Sequence, residues 1–333
     1  MDAEVVSVLI PARNEQHNIY RLLDSILLQK GVVYEIFVLD DHSTDHTRLI
    51  VEKYAAVHNC IKLLSGAPLP PGWTGKNYAC HQLAQAASGK YLVFLDADVE
   101  LHPEVLASSI FRMRQKKLSL LSLFADQETL TFAEQVTVPL MNYLLLTLLP
   151  LRLIESHKFP IFSAACGQFM LFNSEDYLSN QWHQRARDKV VEDLTIMKMV
   201  KQNGLRGEGL MAGGLMKCRM YFDYMAAIMG FSKNFIAPFN DHIPVFLAFI
   251  AALILGPVLI LVSGNLFLII GYIVLVIASR YFTSKLSGRL AATDIVYHPI
   301  QMASLLTIAG LALYWKCTKS VQWKGRTIVV KAG

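Results

Sequence analysis

A run of 21 residues without a charged side chain, 243–263, constrains the fold of this chain more than any other feature. A helix of that length is about 30 Å long, which matches the hydrocarbon core of a membrane. A second run, 295–315, is equally long, and a shorter run, 266–279, reaches spanning length only if Arg280 and its neighbours are included. The sequence therefore predicts a membrane region of two or three helices over 243–315.

Charge is distributed unevenly along the chain. Residues 280–333 hold eight Lys or Arg and one acid, whereas the preceding part holds 23 basic and 25 acidic residues. Basic residues beside apolar helices are typical of an anionic, cytoplasmic lipid surface, and 316–333 is interpreted as a basic tail. The N-terminal part lacks the basic excess of a nucleic-acid binder, so no nucleic acid is expected as a partner. Its acidic start does not resemble a signal peptide, so this part is predicted to stay in the cytoplasm. Together with the apolar runs, this predicts a multi-pass protein of the cell (inner) membrane.

Short apolar strands alternate with helical segments before the membrane region. The predicted strands are 6–10, 34–39, 61–64, 91–95, 118–123 and 169–172. This alternation is typical of an α/β fold with a mostly parallel sheet flanked by helices, in which ligands bind at the carboxyl ends of the strands.

The strand Tyr91 to Leu95 ends at two acids separated by one residue, Asp96 and Asp98. Side chains at alternate positions of an extended chain point the same way, so both carboxylates can face one point. That arrangement suits a hard divalent ion such as Mn²⁺ or Mg²⁺ together with a phosphorylated ligand. The alternative is a loop whose Asp side chains cap the following helix.

Three other segments contain candidate functional residues. Lys76, at the start of a predicted helix over 78–87, opposes the helix dipole unless an anion binds there, and otherwise it is a solvated loop lysine. Glu192 and Asp193 open a helix that ends near Gly204, where acids are favourable without any function. The small residues around Gly167 and Gln168 would let a ligand approach the backbone.

Two apolar segments outside the long runs, 132–154 and 221–240, are interpreted as helices at the membrane surface. The first is interrupted by Pro139 and Pro150, which predicts one or two helices there. Packing against the N-terminal domain is the alternative.

Taken together, these motifs resemble family 2 glycosyltransferases with the nucleotide-diphospho-sugar transferase (GT-A) fold. The resemblance covers residues 5 to about 210, and the implied catalytic domain is 1–235. The matching residues are Pro11-Ala12-Arg13-Asn14-Glu15, Asp40-Asp41-His42-Ser43-Thr44-Asp45-His46-Thr47, Asp96-Ala97-Asp98 and Glu192-Asp193. The segment 72–80, the C-terminal apolar runs and 322–326 are similar to membrane-associated members that glycosylate carotenoids, hopanoids or other lipids.

The resemblance implies an inverting transfer of a hexose from a UDP-sugar to a lipid acceptor. Asp193, with Glu192 beside it, would be the catalytic base, and Mn²⁺ or Mg²⁺ on Asp96 and Asp98 would bridge the donor phosphates. Acceptor contacts are assigned to Gly167, Gln168, Trp323 and Arg326, although the last two also fit a basic tail. The nucleotide-sugar would be bound by Pro11, Ala12, Arg13, Asn14, Glu15, Asp40, Asp41, Lys76, Asp96 and Asp98, with Asp40 or Asp41 accepting from the uracil imide.

Two other functions stay open. Processive polysaccharide synthases of this family carry a Gln-x-x-Arg-Trp motif before their following membrane helices, and 221–234 lacks it. A non-catalytic membrane scaffold with a nucleotide-sugar fold would not need Asp96, Asp98 and Asp193 together. The predicted function is therefore transfer of a single sugar to a membrane lipid.

Overall fold

The computed structural model describes residues 5–239 and 242–318, and the backbone of 321–323 and 326–328. The chain forms two compact units. One comprises Met1–Asp126 and Leu149–Arg219, and the other comprises Gln127–Leu148 and Met220–Gly333. The strands are β1 Val5–Ala12, β2 Val33–Asp40, β3 Ile61–Ser65, β4 Tyr91–Leu95, β5 Val99–Leu101, β6 Leu120–Phe124, β7 Asp126–Gln127, β8 Phe169–Asn173, β9 Gly207–Met211, β10 Met216–Cys218, β11 Val321–Trp323 and β12 Arg326–Ile328.

Helices make up most of the remaining chain. They are α1 Ile19–Leu27, α2 Thr47–Val57, α3 Gly75–Ala86, α4 Val105–Lys116, α5 Phe132–Gln135, α6 Pro139–Leu148, α7 Arg152–Ser156, α8 Ser174–Asn180, α9 Trp182–Arg185, α10 Glu192–Gln202, α11 Tyr224–Ser232, α12 Ile243–Val262, α13 Leu266–Leu286, α14 Ala291–Val296 and α15 His298–Thr318.

A seven-stranded sheet in the order β3-β2-β1-β4-β8-β6-β9 forms the centre of the first unit. All its strands run parallel except β8, which lies antiparallel between β4 and β6. All five residues of β4 are buried, as expected for a continuous apolar run in a sheet covered on both faces. The predicted mostly parallel α/β sheet flanked by helices is confirmed.

Strand register brings the carboxyl ends of the central strands to one edge. Ala12 of β1 is paired with Asp40 of β2, and Leu9 of β1 is paired with Phe94 of β4. The loops that follow β1, β2 and β4 therefore leave the sheet next to one another. Helix α3 begins at Gly75, three residues before the predicted start, with the Thr74 side chain accepting from the Asn77 N–H. Lys76 consequently lies in the first turn of α3.

The second unit is helical and has its own core. Leu140 of α6, Ile228 of α11, Phe246 of α12 and Ile308 of α15 belong to one buried apolar cluster. Three of its helices, α12, α13 and α15, are long and apolar enough to cross a membrane, and α13 reaches that length by including Arg280. The predicted segment 132–154 contains α5, α6 and the start of α7 rather than one or two helices, because Pro139 opens α6 and Pro150 precedes α7.

Candidate active site

The loops after β1 and β2 are hydrogen-bonded to each other. Asn14 Oδ1 accepts from the Thr44 N–H at 2.8 Å, and the Glu15 N–H donates to Thr47 Oγ1 at 2.7 Å. Asn14 and His42 have left-handed backbones, with φ of 55° and 56°, which Asn and His tolerate better than most residues. The two segments predicted to bind the nucleotide thus form one continuous surface.

Asp40 and Asp41 differ in their surroundings. Asp40 is buried, and its Oδ1 accepts from the Ser43 N–H at 3.2 Å, so it shapes the loop after β2. Asp41 is half-buried, and its backbone carbonyl accepts from Arg13 Nη1 at 2.7 Å. Arg13 also lies 3.9 Å from the Asp41 carboxylate, which couples the loop after β1 to the one after β2.

The Lys76 ammonium joins the acids of two distant segments. Its Nζ lies 2.8 Å from Asp96 Oδ1, at the end of β4, and 2.9 Å from Glu192 Oε1, in the first turn of α10. Burial alone would lower the pKa of Lys76, but the charges of Asp96 and Glu192 outweigh it and hold the pKa well above its ordinary value. Lys76 is therefore a fixed positive charge at this edge of the sheet.

Asp193 lies beside this ion pair and is fixed by the backbone. Its Oδ2 accepts from the Gly167 N–H at 2.9 Å, and its Oδ1 accepts from the Leu194 N–H at 2.7 Å. Burial, followed by the charge of Glu192, raises the pKa of Asp193 to about 7. A carboxyl group with such a pKa can exchange a proton near neutral pH.

Gly167 allows these groups to approach one another. A Cβ at this position would lie 2.8 Å from Lys76 Nζ and 3.3 Å from Glu192 Oε1. Any larger residue would therefore require the Lys76 ammonium to shift. The small-residue segment singled out in the sequence provides this clearance.

Asp98 has the features of a cation ligand. Its Oδ1 is buried and has no hydrogen-bond partner among the described residues. Burial, then the charges of Asp96 and Glu15, raise the pKa of Asp98 to about 7. A divalent ion would compensate this carboxylate, so the pair of acids fits Mn²⁺ or Mg²⁺. The described part of the chain contains no group of three His, Cys, Asp or Glu that could hold a metal, so donor phosphates and water would supply the other ligands.

Gln168, Trp323 and Arg326 are also predicted to contact the acceptor, and this assignment stays a prediction. Gln168 is buried, with Nε2 donating to Cys218 Sγ at 2.8 Å and Oε1 accepting from Cys166 Sγ at 3.4 Å. Its side-chain amide is therefore held between two thiols. Trp323 and Arg326 are paired in the backbone ladder of β11 and β12, and their side chains lie outside the described residues.

Asn77 is a residue whose role the sequence reasoning missed. It is completely buried, and its Nδ2 donates to the carbonyls of Ala186 at 2.7 Å and Lys189 at 3.0 Å. These bonds tie the first turn of α3, which carries Lys76, to the segment leading into α10. The available signal was a polar residue in an early turn of a helix, directly after a candidate ligand-binding lysine.

The fold and the site define a class of α/β protein with an acidic, lysine-bridged site at the carboxyl edge of its sheet. The family model described as Glycosyl transferase family 2 matches residues 7–179, about half of the chain. The chain belongs to this glycosyltransferase family, and the resemblance drawn from the motifs is confirmed.

Similar sequences include carotenoid-type glycosyltransferases. The 4,4'-diaponeurosporenoate glycosyltransferase of Staphylococcus haemolyticus (strain JCSC1435) is 29% identical over 239 residues, which cover 69% of this chain and 60% of the relative. The protein of the same name in Staphylococcus aureus (strain MRSA252) is 28% identical over 204 residues, covering 58% of this chain and 50% of the relative. The chain thus spans between half and three-fifths of the length of these curated relatives.

A solved structure supports the fold. The mannosyltransferase PcManGT from Pyrobaculum calidifontis, in complex with GDP-Man and Mn²⁺, aligns with a TM-score of 0.59 at 16% identity. The alignment covers 94% of this chain and 86% of that structure. The predicted GT-A fold is confirmed, with three C-terminal helices that are candidates for membrane spans.

Proposed function

We propose that this protein transfers one hexose from a UDP-sugar to a hydroxyl or carboxyl group of a membrane lipid, with inversion at the anomeric carbon. One observation carries the proposal. Lys76 Nζ contacts both Asp96, assigned to the donor, and Glu192, the neighbour of the proposed base Asp193. Groups suited to the leaving phosphate and to the attacking oxygen thus occupy one cluster within one unit.

The donor side consists of the interlocked loops and the acidic pair. The surface formed by 11–15 and Asp41 would take the nucleotide, and Lys76 would contact the diphosphate because it is a fixed cation. Asp96 and Asp98 would hold Mn²⁺ or Mg²⁺, which supplies Lewis-acid stabilisation of the charge on the departing UDP. Arg13 orders this surface through its bond to the Asp41 carbonyl.

The acceptor side centres on Asp193. Its two backbone hydrogen bonds fix its orientation, and its raised pKa supports the role of general base. The acceptor oxygen would bond to the anomeric carbon while the bond to the UDP oxygen breaks, and a hydroxyl or protonated carboxyl acceptor would give its proton to Asp193. Glu192 contacts Lys76 instead, so its proposed role is to position that lysine.

Two observations outside the site support a lipid acceptor. The same chain contains three helices that could cross a membrane, and its relatives are named for a carotenoid-type acid. We therefore place the protein in the cell membrane as a multi-pass protein whose first unit lies on the cytoplasmic side. Contact of Trp323 and Arg326 with the acceptor remains a prediction.

The test is incubation of membranes that contain the protein with labelled UDP-sugars, with GDP-mannose in a parallel reaction. Lipid extraction and mass analysis should reveal one hexose per lipid, and NMR should show an inverted anomeric centre. Asp193→Asn should lower the transfer rate by about 10²- to 10⁴-fold while UDP-sugar still binds.

Each rival function predicts a different result. A polymeric product would contradict single transfer and favour a processive synthase. Undiminished transfer by Asp193→Asn would contradict the base assignment. A scaffold would be favoured if no donor gave transfer and if cells with the Asp193→Asn protein behaved like cells with the unchanged protein.

A further inference from the structure

We propose that residues 157–162 form a membrane-contact turn, which inserts its apolar tip into the lipid surface and presents lipid to the neighbouring site. The turn belongs to the first unit, between α7 and β8. Phe159 and Ile161 are 65% and 79% exposed, on either side of Pro160 at the start of a short 3₁₀ helix. Two large apolar side chains projecting from one turn form a surface that water disfavours and a bilayer accepts.

The base of the turn is braced from inside the unit. Lys201 of α10 is buried, and its ammonium donates to the carbonyl of His157 at 3.0 Å and to the carbonyl of Phe162. The His157 and Phe162 rings also lie 4.9 Å apart between centroids. The Lys201 side chain holds both ends of the turn. The tip of the turn is therefore held in a projecting conformation.

The charges around the tip favour a lipid surface as its partner. Arg152, His157 and Lys158 are exposed on the same segment. The acid in this segment, Glu155, is paired with Lys116 at 3.0 Å and with Arg206 at 3.3 Å. The tip therefore combines an apolar wedge with two basic side chains, Arg152 and Lys158, that have no acidic partner among the described residues, which complements anionic headgroups.

Chain connectivity supports the same partner. The first unit is joined at three points of the chain to the unit that carries the candidate membrane helices. On the proposed function, membrane insertion of these helices would keep a lipid surface near this unit, whereas a soluble partner would have to be recruited.

The turn is connected to the proposed base on both sides. After Phe162 the chain continues to Gly167, whose N–H donates to Asp193. Lys201, which braces the turn, lies on the helix that begins with Glu192 and Asp193. On the proposed function, a lipid taken up at the turn would be delivered towards Asp193.

Tryptophan fluorescence tests the lipid contact directly. Phe159→Trp in the full chain, reconstituted into vesicles of phosphatidylcholine and phosphatidylglycerol with brominated acyl chains, should show quenching of the added tryptophan after subtraction of the parent signal. Phe111→Trp is the matched control, because Phe111 is 67% exposed on α4 of the same unit. Equal quenching of the two added tryptophans, or none at Phe159→Trp, would overturn the proposal.

A kinetic experiment tests lipid presentation separately. The double variant Phe159→Ser, Ile161→Ser should raise the KM for a membrane-embedded acceptor by about tenfold or more and leave the KM for the donor unchanged. Phe111→Ser should change neither value. An unchanged acceptor KM would refute presentation, whereas the fluorescence result does not depend on transfer and would stand even if the proposed reaction were wrong.

Discussion

At the scale of single residues, one ammonium group organises the candidate site. Lys76 lies within 3 Å of carboxylate oxygens from Asp96 and Glu192, so each acid is compensated by the same cation. Asp193 has no such contact in the described structure and is fixed by backbone N–H groups instead. This difference supports the proposed roles of the two adjacent acids, with Glu192 positioning Lys76 and Asp193 accepting the proton.

The raised pKa of Asp193 predicts an acid limb in the pH dependence of kcat/KM. A base must be deprotonated to act, so activity should fall about tenfold per pH unit below a pKa of about 7. The measurement is sugar transfer in reconstituted vesicles from pH 5 to 9, with the donor held well below its KM. An acid limb near pH 4, the ordinary range of an Asp, would contradict this assignment.

At the scale of helices and loops, the site depends on how α3 is joined to the segment before α10. The Asn77 amide donates to two carbonyls of that segment, and the Thr74 N–H donates to the Arg187 carbonyl at 2.7 Å. These bonds set the position of Lys76 relative to Glu192. They explain why a helix and a loop more than a hundred residues apart act as one support.

Asn77→Ala should weaken this support. Loss of the amide leaves the carbonyls of Ala186 and Lys189 without their donor, which should destabilise the protein by about 1–3 kcal/mol and reduce transfer. Thermal unfolding in detergent and a transfer assay measure the two effects. Gln85→Ala, at an exposed position of the same helix, is the control and should change stability by about 0.5 kcal/mol or less. An effect of the same size at Gln85 would contradict the special role of Asn77.

At the scale of the whole molecule, the second unit is held together around one buried acid. In the second unit the buried Asp294 of α14 accepts from Arg289 Nε and Nη2, both at 3.0 Å, and from Ser284 of α13 at 2.8 Å. Gln301 of α15 donates to it at 3.2 Å. Burial would raise the pKa of Asp294, but the hydrogen bonds and charge of Arg289 lower it. The Asp294 carboxylate therefore joins α14 to the candidate spans on either side of it, α13 and α15.

Asp294→Asn should loosen the second unit, because Arg289 would keep a buried charge without its acid. We expect a loss of about 3 kcal/mol, seen as a lower melting temperature in detergent or nanodiscs. Asp223→Asn is the control, since it removes the same charge from an exposed position where Asn also serves as an N-cap of α11. Equal melting temperatures for the two variants would rule out the anchoring role of Asp294.

The sequence by itself determined six of the seven strands of the central sheet, all except β9, and it determined the family. Continuous apolar runs dictated β2 and β4, run length dictated the candidate membrane helices, and the ordered acidic motifs indicated a family 2 glycosyltransferase. These features are local, because periodicity, length and spacing are properties of adjacent residues. The paired acids at Asp96 and Asp98 were identifiable for the same reason.

Only the tertiary structure decided which distant groups meet. It placed β8 antiparallel between β4 and β6, brought the Gln168 side chain into contact with two cysteines, and brought Lys76 to both Asp96 and Glu192. It also revealed Lys201 as the brace of an exposed apolar turn. Such contacts depend on strand order and on the approach of loops separated by many residues, which local patterns in a single sequence do not encode.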